Sequence, residues 1–520
     1  MGRMMQWNKT NNSDNMFKVS ILFTFTLALL LFSLPAAVHG ARLELVHRNH
    51  DRFTGGKLDR VEAFKGFVQR DNHRRLQINQ RLGYDDDYDT RRRAAETDSD
   101  TSEAEMPLLT GRDLGIGEYF VQVKVGTPGQ KLWLAADTGS EFTWFNCYSR
   151  EKADVPRQSP KKKRLRRARS HHHHHHHHRG SKNHTRTKKK ARNKNKNDPC
   201  IGVYCPDKSR TFHSVTCASR KCKVDLSDLF SLTYCPNPSD PCLYDIGYAD
   251  GSSAKGFFGT DSIILGSSNG KEEKLNNLTV GCTQEMLDGI NFNEETGGIL
   301  GLGYFKDSFI DKASSKYGSQ FSYCLVDHLS HTDVPSVLTL GGHHKAKLLA
   351  EMQKTELILF PPFYGVSVVG ISLGNQMLNI TPEVWNFDAQ GGTIVDTGTT
   401  LTALLTPAYD PVFEGLTKPL STVKRLAAED FGALEFCFES DGFDDKIVPR
   451  LAFHFAGGAK FEPPVKSYII DVAPQVKCIG IVPILGAAGV NVIGNIMQQD
   501  HLWDFDFGKR TVGFAPSACS

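Results

Sequence analysis

The sequence predicts an all-β chain of two similar lobes that share one cleft, and three observations lead there. Asp137-Thr138-Gly139-Ser140 and Asp396-Thr397-Gly398-Thr399 repeat one four-residue pattern, and each closes an apolar run, Leu132-Trp133-Leu134-Ala135-Ala136 in the first case and Thr393-Ile394-Val395 in the second. A second pair of apolar, glycine-bearing runs, Gly298-Ile299-Leu300-Gly301-Leu302-Gly303 and Asn491-Val492-Ile493-Gly494-Asn495, recurs later in each half. From about residue 115 onward, short apolar runs alternate with Gly, Asn and Asp, the pattern of many short strands. A chain of 520 residues exceeds what one core organises, so two lobes with extra segments are expected.

Taken in order, the chain opens on a leader. Residues 19–34 are an uncharged, mostly apolar run behind Lys18, followed by Pro35-Ala36-Ala37-Val38-His39-Gly40, so residues 1–40 read as a signal peptide cleaved after Gly40. A signal anchor is the alternative, although the run is barely long enough to span a bilayer. No later stretch is apolar enough to cross a membrane, and the C-terminus is polar. The route predicted is secretory, ending outside the cell (apoplast) or in a vacuole, with a plastid reached through the endoplasmic reticulum as the other destination.

Residues 41–105 are charged and poor in core formers, and read as a propeptide ending in a linker. Within it 42–48 reads as a strand and 61–82 as a helix with apolar positions Val61, Phe64, Val68, Leu76 and Ile78. Basic side chains there suit a pair of carboxylates; a solvated arm is the plainer alternative. The first lobe is taken as 106–347 and the second as 348–520, the break lying near Pro361-Pro362. Residues 118–125 alternate as a half-buried strand.

Residues 151–198 interrupt the pattern. They hold eighteen Lys and Arg against Glu151, Asp154 and Asp198, so this stretch carries +15 in a chain whose total is +4, and the remainder is acidic. Eight consecutive histidines, His171 to His178, lie inside it. Such composition cannot form a core and reads as a disordered surface insertion. Metal binding by the histidines and contact with a polyanion are alternatives. The absence of interleaved aromatics speaks against nucleic acid, and no ligand spacing fixes a metal geometry.

Twelve cysteines stand behind the leader, seven of them between Cys147 and Cys242, so structural disulfides in an oxidising compartment are expected. Zinc is the rival, but no Cys-x2-Cys pair occurs. Sequons stand at Asn183, Asn277 and Asn379.

The repeated Asp-Thr-Gly motif carries chemistry. Two carboxylates a few ångströms apart cannot both ionise, so the pair holds one proton. The ionised member takes a proton from water while the protonated one donates to a carbonyl. Gly139 and Gly398 permit close backbone approach, and the Ser140 and Thr399 hydroxyls can each donate to their own aspartate.

These residues resemble the pepsin-like aspartic proteases, and more closely their plant nepenthesin-like branch. The resemblance covers about residues 117–520. It rests on the two motifs, on Tyr119-Phe120-Val121 and Val125-Gly126-Thr127-Pro128, on Trp144, on Cys222-Lys223-Val224-Asp225-Leu226, on Phe321-Ser322-Tyr323-Cys324-Leu325-Val326-Asp327-His328, and on Val492-Ile493-Gly494-Asn495-Ile496-Met497-Gln498-Gln499. It implies the bilobal pepsin-like fold, two β-barrel-type lobes with the active site in the cleft between them. It also implies a zymogen whose mature form is an aspartic endopeptidase acting at acidic pH, with Asp137 and Asp396 catalytic and with no cofactor and no metal.

The resemblance further implies that the hairpin around Tyr248-Ala249-Asp250-Gly251-Ser252 is a flap over the cleft, with Tyr248 at its tip and Trp144 as its hydrogen-bond partner. The cysteine cluster matches the branch's Cys-rich insertion, and Cys437 and Cys478 match a second-lobe bridge. The implied partners are polypeptide substrates and the chain's own propeptide as inhibitor. No nucleic acid, no membrane after leader removal and a monomeric state are expected. The basic stretch 151–198 departs from the family pattern. The rival reading is a catalytically silent pepsin-fold binding protein of the xylanase-inhibitor kind, which loses the active-site motif that this chain keeps.

Overall fold

The computed structural model describes residues 41–47, the positions Asp71, Arg74, Arg75 and Ile78, and residues 119–148, 200, 202–226, 232–235, 237–247, 253–266, 272–287, 296–327, 329, 335–341, 347–427, 431, 434–484 and 489–519. The expected leader, most of the expected propeptide, the basic stretch 151–198 with Asn183, and the expected flap tip with Tyr248 lie outside these residues.

Apolar and β-branched runs bounded by turn residues become strands throughout. In the first half these are β1 (Ala41–His47), β2 (Tyr119–Val125), β3 (Gln130–Asp137), β4 (Thr143–Asn146), β5 (Leu243–Gly247), β6 (Ser253–Gly266), β7 (Glu272–Leu287), β8 (Thr296–Gly301), β9 (Gln320–Cys324) and β10 (Ser336–Leu340). In the second half the strands that matter here are β11 (Thr393–Val395), β12 (Thr402–Leu405), β13 (Asn491–Ile493), β14 (His501–Asp506) and β15 (Thr511–Pro516). From Tyr119 onward the α-helices among the described residues are α1 (Phe309–Tyr317), whose first turn is capped by the Ser308 hydroxyl accepting from the Asp311 N–H, α2 (Thr406–Thr417) and the single turn α3 (Asn495–Gln498). Among the described residues no helix is long and apolar enough to cross a membrane.

Twenty of the strands join one hydrogen-bonded sheet system. Its central run crosses the molecule in the order β2, β1, β10, β9, β14, β15 and then Gln353–Phe360, every neighbouring pair antiparallel. The strand expected at 42–48 is therefore β1, one residue earlier, and it is an interior strand. Its odd-numbered side chains Ala41, Leu43 and Leu45 are buried, while Arg42 and Glu44 face solvent. β2 is more enclosed than its alternation predicts: Phe120 is buried along with Tyr119, Val121 and Val123, because the strand is flanked by β1 and β3. Beneath the cleft the aromatic rings of Phe321, Tyr323, Tyr364 and Phe505 pack together, with Phe321 stacked on Phe505 at 4.8 Å between centroids. This is an all-β, bilobal, pepsin-like fold.

All twelve cysteines pair: Cys147–Cys282, Cys200–Cys205, Cys217–Cys235, Cys222–Cys242, Cys324–Cys519 and Cys437–Cys478. The sulfurs of Cys217, Cys222 and Cys235 converge, yet each belongs to a disulfide and none is left as a thiolate ligand.

Candidate active site

Each half builds its aspartate the same way. β3 runs parallel to β8, placing Asp137 opposite Gly301, and the outgoing β4 returns antiparallel along the same β8. β11 runs parallel to β13, placing Val395 opposite Ile493 just before Asp396, and the outgoing β12 returns antiparallel to β13. The two glycine-bearing runs are thus the strands beneath the two Asp loops. In both halves the loop carbonyls point down onto the chain that follows this strand. Asp137 O accepts from the Leu302 N–H (2.8 Å) and Ser140 O from the Gly303 N–H (2.9 Å). Thr399 O accepts from the Asn495 N–H (2.8 Å), and Thr397 O from the Asn495 side-chain amide (3.0 Å).

The carboxylates are nearly sealed, Asp137 at 3% exposure and Asp396 at 0%. Asp137 accepts from the Gly139 N–H (2.9 Å) and the Ser140 hydroxyl (2.5 Å). Asp396 accepts from the Gly398 N–H (3.0 Å) and the Thr399 hydroxyl (2.6 Å). Each glycine faces the opposite aspartate: a Cβ on Gly398 would stand 2.3 Å from Asp137 Oδ1, and one on Gly139 would stand 2.9 Å from Asp396 Oδ1. Any larger residue would force the loops apart.

The threonines inside the motifs tie the loops across the cleft. The Thr138 N–H donates to Thr397 Oγ1 (3.1 Å) and the Thr397 N–H to Thr138 Oγ1 (2.9 Å), while Thr397 Oγ1 donates to Ala136 O (2.8 Å) and Thr138 Oγ1 to Val395 O (3.4 Å). The sequence pattern carries these threonines but not this role, which depends on contacts between residues 259 positions apart.

A third participant comes from the segment before the lobes. The Arg74 guanidinium reaches all four carboxylate oxygens. Nη1 donates to Asp137 Oδ2 (2.8 Å), Nε to Asp396 Oδ2 (2.8 Å), and Nη2 to Asp396 Oδ1 (3.1 Å) and to Asp137 Oδ1. A planar fork with several fixed donors can do this where a lysine ammonium cannot. One helical turn earlier, the Asp71 carboxylate accepts from the backbone N–H groups of Thr400 (2.8 Å) and Leu401 (2.5 Å), directly after the second motif. Asp71, Arg74, Arg75 and Ile78 are helical, and Ile78 is 2% exposed, consistent with the helix read over 61–82.

Burial alone would raise the Asp137 carboxyl; the Arg74 charge, the Arg74 and Ser140 hydrogen bonds and the Gly139 N–H outweigh it and hold Asp137 below the usual carboxylate range. Burial also works against the Arg74 charge, and the two aspartates more than reverse that. Neither Arg74 nor Asp71 was singled out in the sequence, because nothing local marks a charged helix residue as an active-site ligand.

Trp144 lies buried on β4 beside Gly281 and Ile299. β5 and β6 form the hairpin as far as the Gly247–Ser253 pair, and Tyr248 lies just beyond the described residues. Tyr244, at the base of this hairpin, packs edge-on against Phe142 at 5.7 Å. Asn277 and Asn379 are exposed, as sequons must be.

Two family models cover most of the described region: one described as "Xylanase inhibitor N-terminal" matches residues 119–204 and 191–342, and one described as "Xylanase inhibitor C-terminal" matches 363–516. Among curated relatives, Aspartyl protease family protein 2 of Arabidopsis thaliana is 29% identical over 79% of this chain and 73% of its own length. Aspartic proteinase nepenthesin-1 of Nepenthes gracilis is 25% identical over 96% of this chain and 99% of its own. Among solved structures, basic 7S globulin from soybean superposes with a TM-score of 0.53 at 17% identity, covering 77% of this chain and 94% of that one, a likeness of fold.

Proposed function

Because the chain belongs to the plant pepsin-like aspartic proteases, we propose that its mature form is an aspartic endopeptidase active at acidic pH. The observation that carries this reading is the pair of buried carboxylates, each held by an N–H and a hydroxyl of its own loop and facing each other across two glycines. In the open site, one proton is shared by the pair. The ionised carboxylate draws a proton from a bound water as that water attacks the peptide carbonyl, and the protonated one donates to the carbonyl oxygen. The gem-diol that forms is held by the same two groups, and collapse passes a proton to the leaving nitrogen. No covalent enzyme intermediate and no metal enter this scheme.

In the same reading, residues 41–105 are an inhibitory propeptide, and Arg74 is its plug. Its Nη2 stands within hydrogen-bond reach of both Oδ1 atoms, where the attacking water belongs. Passage through an oxidising secretory route, to the apoplast or a vacuole, is supported by the complete pairing of twelve cysteines. The second reading, a binding protein of the xylanase-inhibitor kind, is favoured by the names of the two family models; the intact pair of motifs speaks against it.

Hydrolysis of a denatured protein at acidic pH by the processed chain, beside Asp137→Asn and Asp396→Asn, tests the proposal. Activity in the parent, with a loss of about 10³-fold or more in each variant, is the expected outcome. A folded, processed and inactive parent favours the binding protein, and activity surviving either substitution overturns the dyad.

A further inference from the structure

The two Asp loops differ in one support. The Asp137 carbonyl is held by a backbone N–H, that of Leu302. The Asp396 carbonyl is held by a side chain: Gln498 Nε2 donates to Asp396 O (3.1 Å) and to Ile493 O (2.6 Å), using both amide hydrogens. The same Ile493 O accepts the Asp396 N–H (3.2 Å), so both polar ends of the Asp396 backbone meet one small cluster. Gln498 is fully enclosed at 0% exposure, and its oxygen is claimed as well: the Tyr323 hydroxyl donates to Gln498 Oε1 (2.6 Å). The Trp503 indole N–H donates to the Gln498 backbone carbonyl (3.1 Å), which fixes the turn α3 from below. Burial, followed by the charge of Asp396, pushes the Tyr323 phenol well upward, so it remains a donor.

Resting on the reading of Asp396 as one of the two catalytic carboxylates, we propose that Gln498 and Tyr323 are a positioning pair that aims the Asp396 carboxylate at its partner. Tyr323 stands on β9 in the central sheet, and Gln498 transmits that fixed point to the peptide carbonyl of Asp396. Carboxylate geometry in such a site must hold to about 0.5 Å, and an orienting hydrogen bond to the residue's own backbone is one way to hold it. In the first loop a backbone N–H does this work and cannot be altered by substitution; in the second, a replaceable side chain does it.

The test uses the full chain, matured in acid, with Tyr323→Phe, Gln498→Met and the double variant, and reads kcat and KM on a peptide substrate across pH. Tyr323→Phe removes one hydroxyl and keeps the ring. It is expected to lower kcat about 3–10-fold with KM unchanged, the mark of a misaimed carboxylate rather than a loosened fold. Gln498→Met should lower kcat further, and the double variant should be no worse than Gln498→Met alone. If kcat matches the parent while only the thermal midpoint falls, or if the two losses multiply, the pair does not act as one support and the proposal is overturned. Should Gln498→Met fail to fold, Tyr323→Phe decides alone. An inactive parent is a failure of the proposed function rather than of this inference. The support is then read by the ¹³C chemical shift of the Asp396 peptide carbonyl, which accepts from Gln498: a changed shift in Tyr323→Phe upholds it, and an unchanged one overturns it.

Discussion

Arg74 and Asp71 make opposite kinds of contact on the same helix face: a cation against two carboxylates, and a carboxylate against two backbone N–H groups. The pH consequence follows from the direction of the Asp137 shift. A carboxyl held below its ordinary value contributes stability that is full above the ordinary carboxylate range and is lost as pH falls through the depressed value. In the proposed precursor the closed site is therefore secure near neutrality and loosens in acid. Arg74→Gln removes the main cation that depresses Asp137, so opening is expected at higher pH, by about one unit or more, read as the pH at which acidification of the purified precursor releases activity. Asp71→Ala discards two charge-assisted hydrogen bonds and should speed conversion at a fixed acidic pH by about tenfold or more. An unchanged rate would mean that Arg74 alone holds the segment. At the motif threonines, Thr397→Val leaves buried N–H and C=O groups unpaired and should cost about 1–3 kcal/mol for each group left without a partner, measured as a lower denaturant midpoint.

Among the elements, the Asp strands and the strands beneath them were legible in the sequence because their signal is local: an apolar run ending in a motif, written twice. The dyad, its glycines and its hydroxyls came with it. The Asp71 and Arg74 contacts, the threonine cross-ties and the bonds of Gln498 to Asp396 and Tyr323 did not, since each joins positions separated by between 63 and 330 residues, and sequence periodicity carries no information at that range. β1 was legible as a strand but not as an interior one, because its neighbours β2 and β10 lie far along the chain. Disulfide pairing was likewise hidden apart from the bridge that the resemblance implied. Cys324–Cys519 ties β9 to the C-terminal residues across a sequence separation of 195, and Cys200–Cys205 closes a separation of 5. Replacing the first pair by serines is expected to cost about 2–4 kcal/mol, and replacing the second distinctly less, because constraint on the unfolded chain grows with the loop enclosed; urea midpoints of the two variants compare them directly.

For the whole molecule, the central sheet decides what happens when residues 41–105 are removed in the proposed maturation. β1 sits between β2 and β10 and pairs with both, so its departure opens the sheet along two edges at once. A chain translated without it has to close that gap from contacts distant in sequence, the slowest kind to form. Under the proposed maturation the chain is expected to fold once, as a precursor, and thereafter to persist by the height of its unfolding barrier and not by its equilibrium stability. Denatured after maturation, it is not expected to return. Added back as a separate peptide, Ala41–His47 is expected to act as a folding template, a second role for seven residues that the proposed mature form would no longer carry.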